Sequence, residues 1–172
     1  MSRSRDSKEY GSSSLLEVPS LGARGGGWVA LQFALIAAIL VLGVVGSGWP
    51  DSARWWLKGA GVLLVFAGAF VIVKAARALG SGFTPFPRPA EEGVLVEKGP
   101  YAVVRHPVYS GGLLFASGIS LALSPWALAA TGALGVVWAL KARVEERFLT
   151  DRYPGYPDYC ARTRYRLVLF VY

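Results

Sequence analysis

Charged residues crowd both ends of the chain and one central stretch, and long uncharged runs lie between them. From Trp28 to about Gly48 there is no charge, and at ~1.5 Å per residue a helix of this length crosses a ~30 Å hydrocarbon core. Trp28 and Trp49 bracket the run as interfacial aromatics do. Trp49-Pro50-Asp51-Ser52 reads as a turn, with Asp51 or Ser52 capping a second span from about Trp55 to Leu79. Lys58 and Lys74 sit near its ends, where long side chains snorkel. Gly59, Gly61 and Gly68 would let a neighbouring helix approach closely. From Pro107 to Leu140 no residue is charged. One straight helix of that length would measure ~50 Å, too long for a single crossing. Ser124-Pro125, a helix-start pair, divides the run into a tight hairpin, 109–123 and 125–140.

Residues 80–108 interrupt this pattern with Pro85, Pro87, Pro89, Pro100 and Pro107. The alternating prolines of 85–89 forbid a helix and favour extended backbone. So long a loop in a small protein is usually functional or disordered, and its Gly-Pro-Tyr and Arg-His-Pro content favours function. Residues 1–27, rich in Ser, Gly and charge, read as a flexible N-terminal tail. Lys141 to Tyr153 continues the hairpin's second arm out of the membrane, and Pro154 and Pro157 break it. The expected fold is therefore all-α and integral to the membrane: one domain over 28–172 with about four transmembrane helices, 28–48, 55–79, 109–123 and 125–140.

Composition sharpens the picture. Of the 172 residues 53% are hydrophobic, and the net charge is +7. That excess would suggest nucleic acid in a soluble domain; here Lys and Arg lie between apolar spans and fit a membrane surface instead. They gather in the tail, the proline-rich loop and the C-terminal stretch, and are absent from the hairpin tip. This asymmetry predicts a multi-pass membrane protein with both termini cytoplasmic. The first span is too long for a signal-peptide core and is expected to be retained. The lone Cys160 forms no internal disulfide. One His and one Cys make a zinc site improbable, and neither a nucleotide-binding glycine loop nor a nucleophile elbow is present.

Two polar clusters remain, beside the membrane at the two ends of the hairpin. One runs from Gly99 to Gly111, the other from Lys141 to Leu149, followed by Tyr153, Tyr156 and Tyr159. Antiparallel helices return the chain to its start, so the clusters should be neighbours.

Gly-Pro-Tyr, Arg-His-Pro-x-Tyr-x-Gly, Glu-Glu-x-x-Leu and a Tyr-x-x-Tyr tail, in this order around a hairpin, resemble the isoprenylcysteine carboxyl methyltransferase family and its bacterial relatives. Membrane phospholipid methyltransferases share much of the pattern. The resemblance covers about residues 93–166; residues 1–80 match only as generic spans. It implies S-adenosyl-L-methionine, released as S-adenosyl-L-homocysteine, held by the proline-rich loop and the C-terminal helix (93–111 and 141–166). Position by position it implies that Tyr101, His106, Pro107 and Tyr109 line the cofactor pocket, that Val96 adds an apolar or backbone contact, and that Glu145 holds the cofactor's polar end. The substrate-facing arginine of eukaryotic members corresponds to Lys141, with Arg143 nearby on another face. His106 is the one candidate catalytic base, needed for an amine acceptor but not for a carboxylate.

These residues also have plainer readings. His106 could cap the hairpin's first helix, and Glu146 reads as a solvent-facing partner of Arg143 and Arg147. The leading functional expectation is carboxyl O-methylation of an isoprenylcysteine-like acceptor among membrane lipids, with no obligate protein partner. N-methylation of a phospholipid amine is the alternative within the class, and a non-catalytic membrane protein retaining the fold is the alternative outside it.

Overall fold

The computed structural model describes residues 18–91 and 93–167; most of the N-terminal tail lies outside them. The chain is an all-α membrane protein. Helix α1 spans Gly26–Val45, α2 Asp51–Leu79, α3 Pro107–Leu123, α4 Pro125–Arg152 and α5 Tyr156–Arg162. Two 3-10 turns, Gly80–Gly82 and Gly99–Ala102, punctuate the loop between α2 and α3. Three helices (α1, α2 and α4) are long and apolar enough to cross a membrane, while α3 is an apolar helix of 17 residues. Outward-facing Leu40, Val44, Leu63, Phe66 and Phe70 are exposed, as expected of side chains that meet lipid rather than a protein core.

The hairpin turns where Ser124 and Pro125 place it. Ser124 Oγ accepts the backbone N–H of Ala127 at 3.2 Å and donates to the Leu42 carbonyl of α1 at 2.9 Å. One side chain thus caps α4 and ties the hairpin tip to α1. Ser120 and Thr131 share a buried hydrogen bond of 2.8 Å between the arms, which satisfies two hydroxyls in an apolar interior.

Helices α2 and α3 approach so closely that backbone meets backbone. A Cβ placed on Gly68 would stand 2.4 Å from the Phe115 nitrogen, and one on Gly118 would stand 2.5 Å from the Gly61 carbonyl. Only hydrogen fits there, and in lipid such contact is a principal source of helix adhesion. Helix α4 packs against α1 and α3, with Ile39, Ala116, Ala127, Leu134, Trp138 and Ala142 buried together.

Two expectations are corrected. Residues 18–27 are not free tail: Val18 is buried against Trp28 and Val144, Arg147 Nη1 donates to the Val18 carbonyl at 3.0 Å, and Trp28 Nε1 to the Pro19 carbonyl at 3.0 Å. The first helix accordingly starts at Gly26. Pro157 breaks nothing, because it sits in the first turn of α5, where its missing N–H has no helical role. The start of α1, the loop after α2, the start of α3 and the end of α4 all meet at one end of the bundle.

Candidate functional site

At that end, the 3-10 turn Gly99–Ala102 delivers Tyr101, and the extended residues after it deliver Arg105 and His106 to the first turn of α3. His106 precedes a proline at the helix start, and its side chain makes no capping bond. The ring turns toward α4 instead. Its Nε2 lies 3.3 Å from Glu146 Oε1 and its Nδ1 3.8 Å from Glu145 Oε2. Its face stacks on Tyr109 with centroids 5.5 Å apart and planes 11° apart.

Tyr109 is the centre of an aromatic column. Its other neighbour is Trp138, with centroids again 5.5 Å apart. Its hydroxyl donates to Glu145 Oε2 at 2.7 Å, a charge-assisted bond that fixes both groups. Lys141 Nζ lies 5.3 Å from the Tyr109 ring centroid.

Val96, Tyr101, His106, Tyr109, Glu145 and Tyr156 line one cavity. The cavity is small, about 90 Å³. Five of the six residues expected to form a cofactor pocket thus share one cavity. The sixth, Pro107, is fully buried and faces a separate apolar groove of about 510 Å³, together with Val103, Val104, Leu113, Leu114 and Leu167. Of the two cations expected to meet substrate, Lys141 is 0% exposed in the wall behind Tyr109. Arg143 faces a separate hollow with Arg147 and Asp151.

Glu146 does not face solvent. It pairs with Arg105 at 3.0 Å and with Arg166 at 2.7 Å, and its side chain is 12% exposed against 26% for Glu145. The partners come from a return of the chain that no local pattern announces. After α5, residues 163–167 run beside Arg105 and His106, whose N–H groups donate to the carbonyls of Tyr165 and Arg166 at 2.9 and 3.0 Å. Ser110 Oγ donates to the Leu167 carbonyl. Glu146 therefore has half-buried partners on both segments of this pairing, and the solvent reading fails. Arg105, Glu146 and Arg166 were missed as a set because Arg166 is distant in sequence.

The tyrosines of the C-terminal stretch do more than belt the membrane. Tyr159 Oη donates to the Tyr101 carbonyl at 2.8 Å, and Tyr153 Oη to the Gly93 carbonyl at 2.6 Å, so both hold the proline-rich loop down. The buried Tyr156 hydroxyl finds no oxygen or nitrogen partner among the described residues. Burial, with nearby carboxylates such as Glu145 adding to it, pushes the phenols of Tyr101 and Tyr156 well above their ordinary range. They remain neutral and able to donate a proton in a hydrogen bond at physiological pH. Among the described residues no His, Cys, Asp and Glu cluster has the makings of a metal site.

The family described as phospholipid methyltransferase matches residues 56–155. A cobalt-zinc-cadmium resistance protein, CzcN, of Cupriavidus metallidurans is 35% identical over 77 residues, covering 42% of this chain and 35% of that protein. Protein-S-isoprenylcysteine O-methyltransferase B of Arabidopsis thaliana is 31% identical over 104 residues, covering 59% of this chain and 48% of that protein. The chain thus spans half or less of the length of these curated relatives.

Proposed function

The chain belongs to the phospholipid methyltransferase family, and from that premise we propose that it transfers a methyl group from S-adenosyl-L-methionine to a lipid or lipid-linked acceptor at the cytoplasmic face of a bacterial-type inner membrane. The observation that carries the reading is the single cavity that gathers Val96, Tyr101, His106, Tyr109 and Glu145 at the membrane end of a helical hairpin.

The lining suits such a cofactor. Among the described residues Glu145 accepts a hydrogen bond from Tyr109, and its remaining lone pairs would take the hydroxyls or ammonium group of a nucleoside amino acid. Tyr101 would offer an aromatic face to a sulfonium. The buried Tyr156 hydroxyl lines the same cavity. Bound there, the cofactor supplies a methyl carbon already activated toward nucleophiles. The protein's part is to align the two reactants and exclude water.

The apolar groove of Val103, Val104, Leu113 and Leu114 would seat the acceptor's hydrocarbon chain. A carboxylate acceptor, as in an isoprenylcysteine-like molecule, is favoured by the setting of His106. Its Nε2 is engaged by Glu146 and its Nδ1 is directed at Glu145, so neither nitrogen stands open as the base that an amine needs. Purified protein in lipid vesicles, given radiolabelled cofactor and either a prenylcysteine analogue or phosphatidylethanolamine, tests this. Label in a base-labile ester on the prenylcysteine supports the reading. Label on the phospholipid amine replaces O- by N-methylation, and label on neither acceptor counts against it.

A further inference from the structure

We propose that Gln32, on the helix that precedes the family-matched stretch, is a positioning residue for the methyl-transfer site: it fixes the buried Lys141 and Trp138 around Tyr109 and thereby sets the Tyr109 hydroxyl on Glu145. This rests on the methyl-transfer reading above and adds α1 to the machinery.

Gln32 is the sole amide side chain in the run from Trp28 to Val45, where every other side chain is apolar or small. An amide in a membrane span is costly unless it is satisfied inside the protein. Gln32 is 7% exposed. Its Oε1 accepts from Lys141 Nζ at 2.5 Å and from Trp138 Nε1 at 3.2 Å. Those two donors are the groups that flank Tyr109: the Trp138 ring stacks on it and Lys141 Nζ lies 5.3 Å from its centroid. Lys141 has a second acceptor, the Pro85 carbonyl at 2.7 Å, so the same cation also pins the proline-rich loop.

A chain of contact therefore runs from Gln32 through Lys141 and Trp138 to Tyr109 and on to Glu145. Without the Gln32 carbonyl, the indole N–H of Trp138 would lose its acceptor and the ammonium of Lys141 would keep the Pro85 carbonyl alone of these two. Lys141 would then swing toward another oxygen, and Glu145 is the carboxylate one turn along the same helix. That move would break the Tyr109–Glu145 geometry and occupy the carboxylate assigned to the cofactor.

Calorimetric titration of S-adenosyl-L-homocysteine into the purified full chain tests this, with melting temperature recorded for each variant. Gln32→Met should weaken binding about tenfold or more, the loss of one bond to a charged group. Gln32→Glu keeps an acceptor on a stem of the same length and should stay within about threefold of wild type. In a Lys141→Met background Gln32→Met should add under about twofold, because the cation it restrains is gone. Equal affinities for wild type and Gln32→Met, or an undiminished further loss in the Lys141→Met background, would overturn the proposal while leaving the methyl-transfer reading intact. Should Gln32→Met not fold, Gln32→Glu decides: near-wild-type binding supports the proposal, and a tenfold loss with an unchanged melting temperature overturns it. Failure of the wild-type chain itself to bind refutes the methyl-transfer reading, and this inference with it.

Discussion

Glu146 Oε1 lies 3.3 Å from His106 Nε2, and this pair joins the residue before α3 to the last turns of α4. The same carboxylate holds Arg105 and Arg166, so it ties the C-terminal segment to the start of α3. Its neighbour Glu145 accepts from Tyr109, lies 3.8 Å from His106 Nδ1 and is more exposed. Two adjacent glutamates thus have different jobs, one architectural and one turned to the cavity.

Glu146→Ala should be the more destabilising of the pair. It takes the carboxylate partner from two guanidinium groups and a histidine, and breaking a largely buried ion pair costs about 3 kcal/mol, somewhat less where water reaches it. The melting temperature in detergent should fall by several degrees, and that of Glu145→Ala should change little. The reverse order would mean that the Arg105–Glu146–Arg166 cluster is not what holds the C-terminal segment.

The α2–α3 seam offers a second check. Gly68→Ala places a methyl group against the Phe115 backbone, and such overpacking costs about 1–3 kcal/mol. Gly59→Ala, where a Cβ meets nothing within 4 Å, should be neutral or stabilising by up to about 1 kcal/mol. Thermal melts of the two variants side by side should separate; equal melts would contradict the close approach.

Stability at high pH should respond to the buried phenols. Burial raises Tyr101, Tyr156 and Tyr159 above their ordinary value, so the folded chain keeps protons that the unfolded chain releases near pH 10. Stability from this source is whole below about pH 10 and declines above it. The melting temperature should be flat from pH 7 to 9.5 with respect to tyrosine ionisation and drop beyond, with phenolate absorbance appearing only on unfolding.

Topology is open to direct mapping. With Cys160 replaced by Ser, single cysteines at 52 and 95 should label from opposite sides of sealed vesicles, 95 from the cytoplasmic side. Labelling from one side would overturn the four-crossing arrangement.

Much of this architecture was legible in the sequence, for reasons that stay local. Uncharged runs bracketed by Trp28 and Trp49 announce a span, Ser124-Pro125 announces a helix start, and Gly61 and Gly68 announce a seam. The spacing of Arg105-His106-Pro107 and Glu145 around a hairpin placed the two clusters together. Rotation about α4 was harder. Glu145 and Glu146 point ~100° apart, and helical periodicity gave Glu146 to solvent beside Arg143. It could not foresee that residues 163–167 would fold back and supply partners there. Lys141 was expected at the substrate, yet it is buried behind Tyr109 on an amide from α1. The cue was Gln32 itself, a lone amide in an apolar run.

The most direct test of the central claim is calorimetric titration of S-adenosyl-L-homocysteine into wild-type chain and Glu145→Ala. Saturable binding of one ligand per chain is expected, weakened about tenfold to a hundredfold by the substitution at unchanged melting temperature, as for loss of a charge-assisted hydrogen bond of about 1.5–3 kcal/mol. No binding to wild type, or equal binding by both proteins, would contradict the assignment of this cavity to the methyl donor.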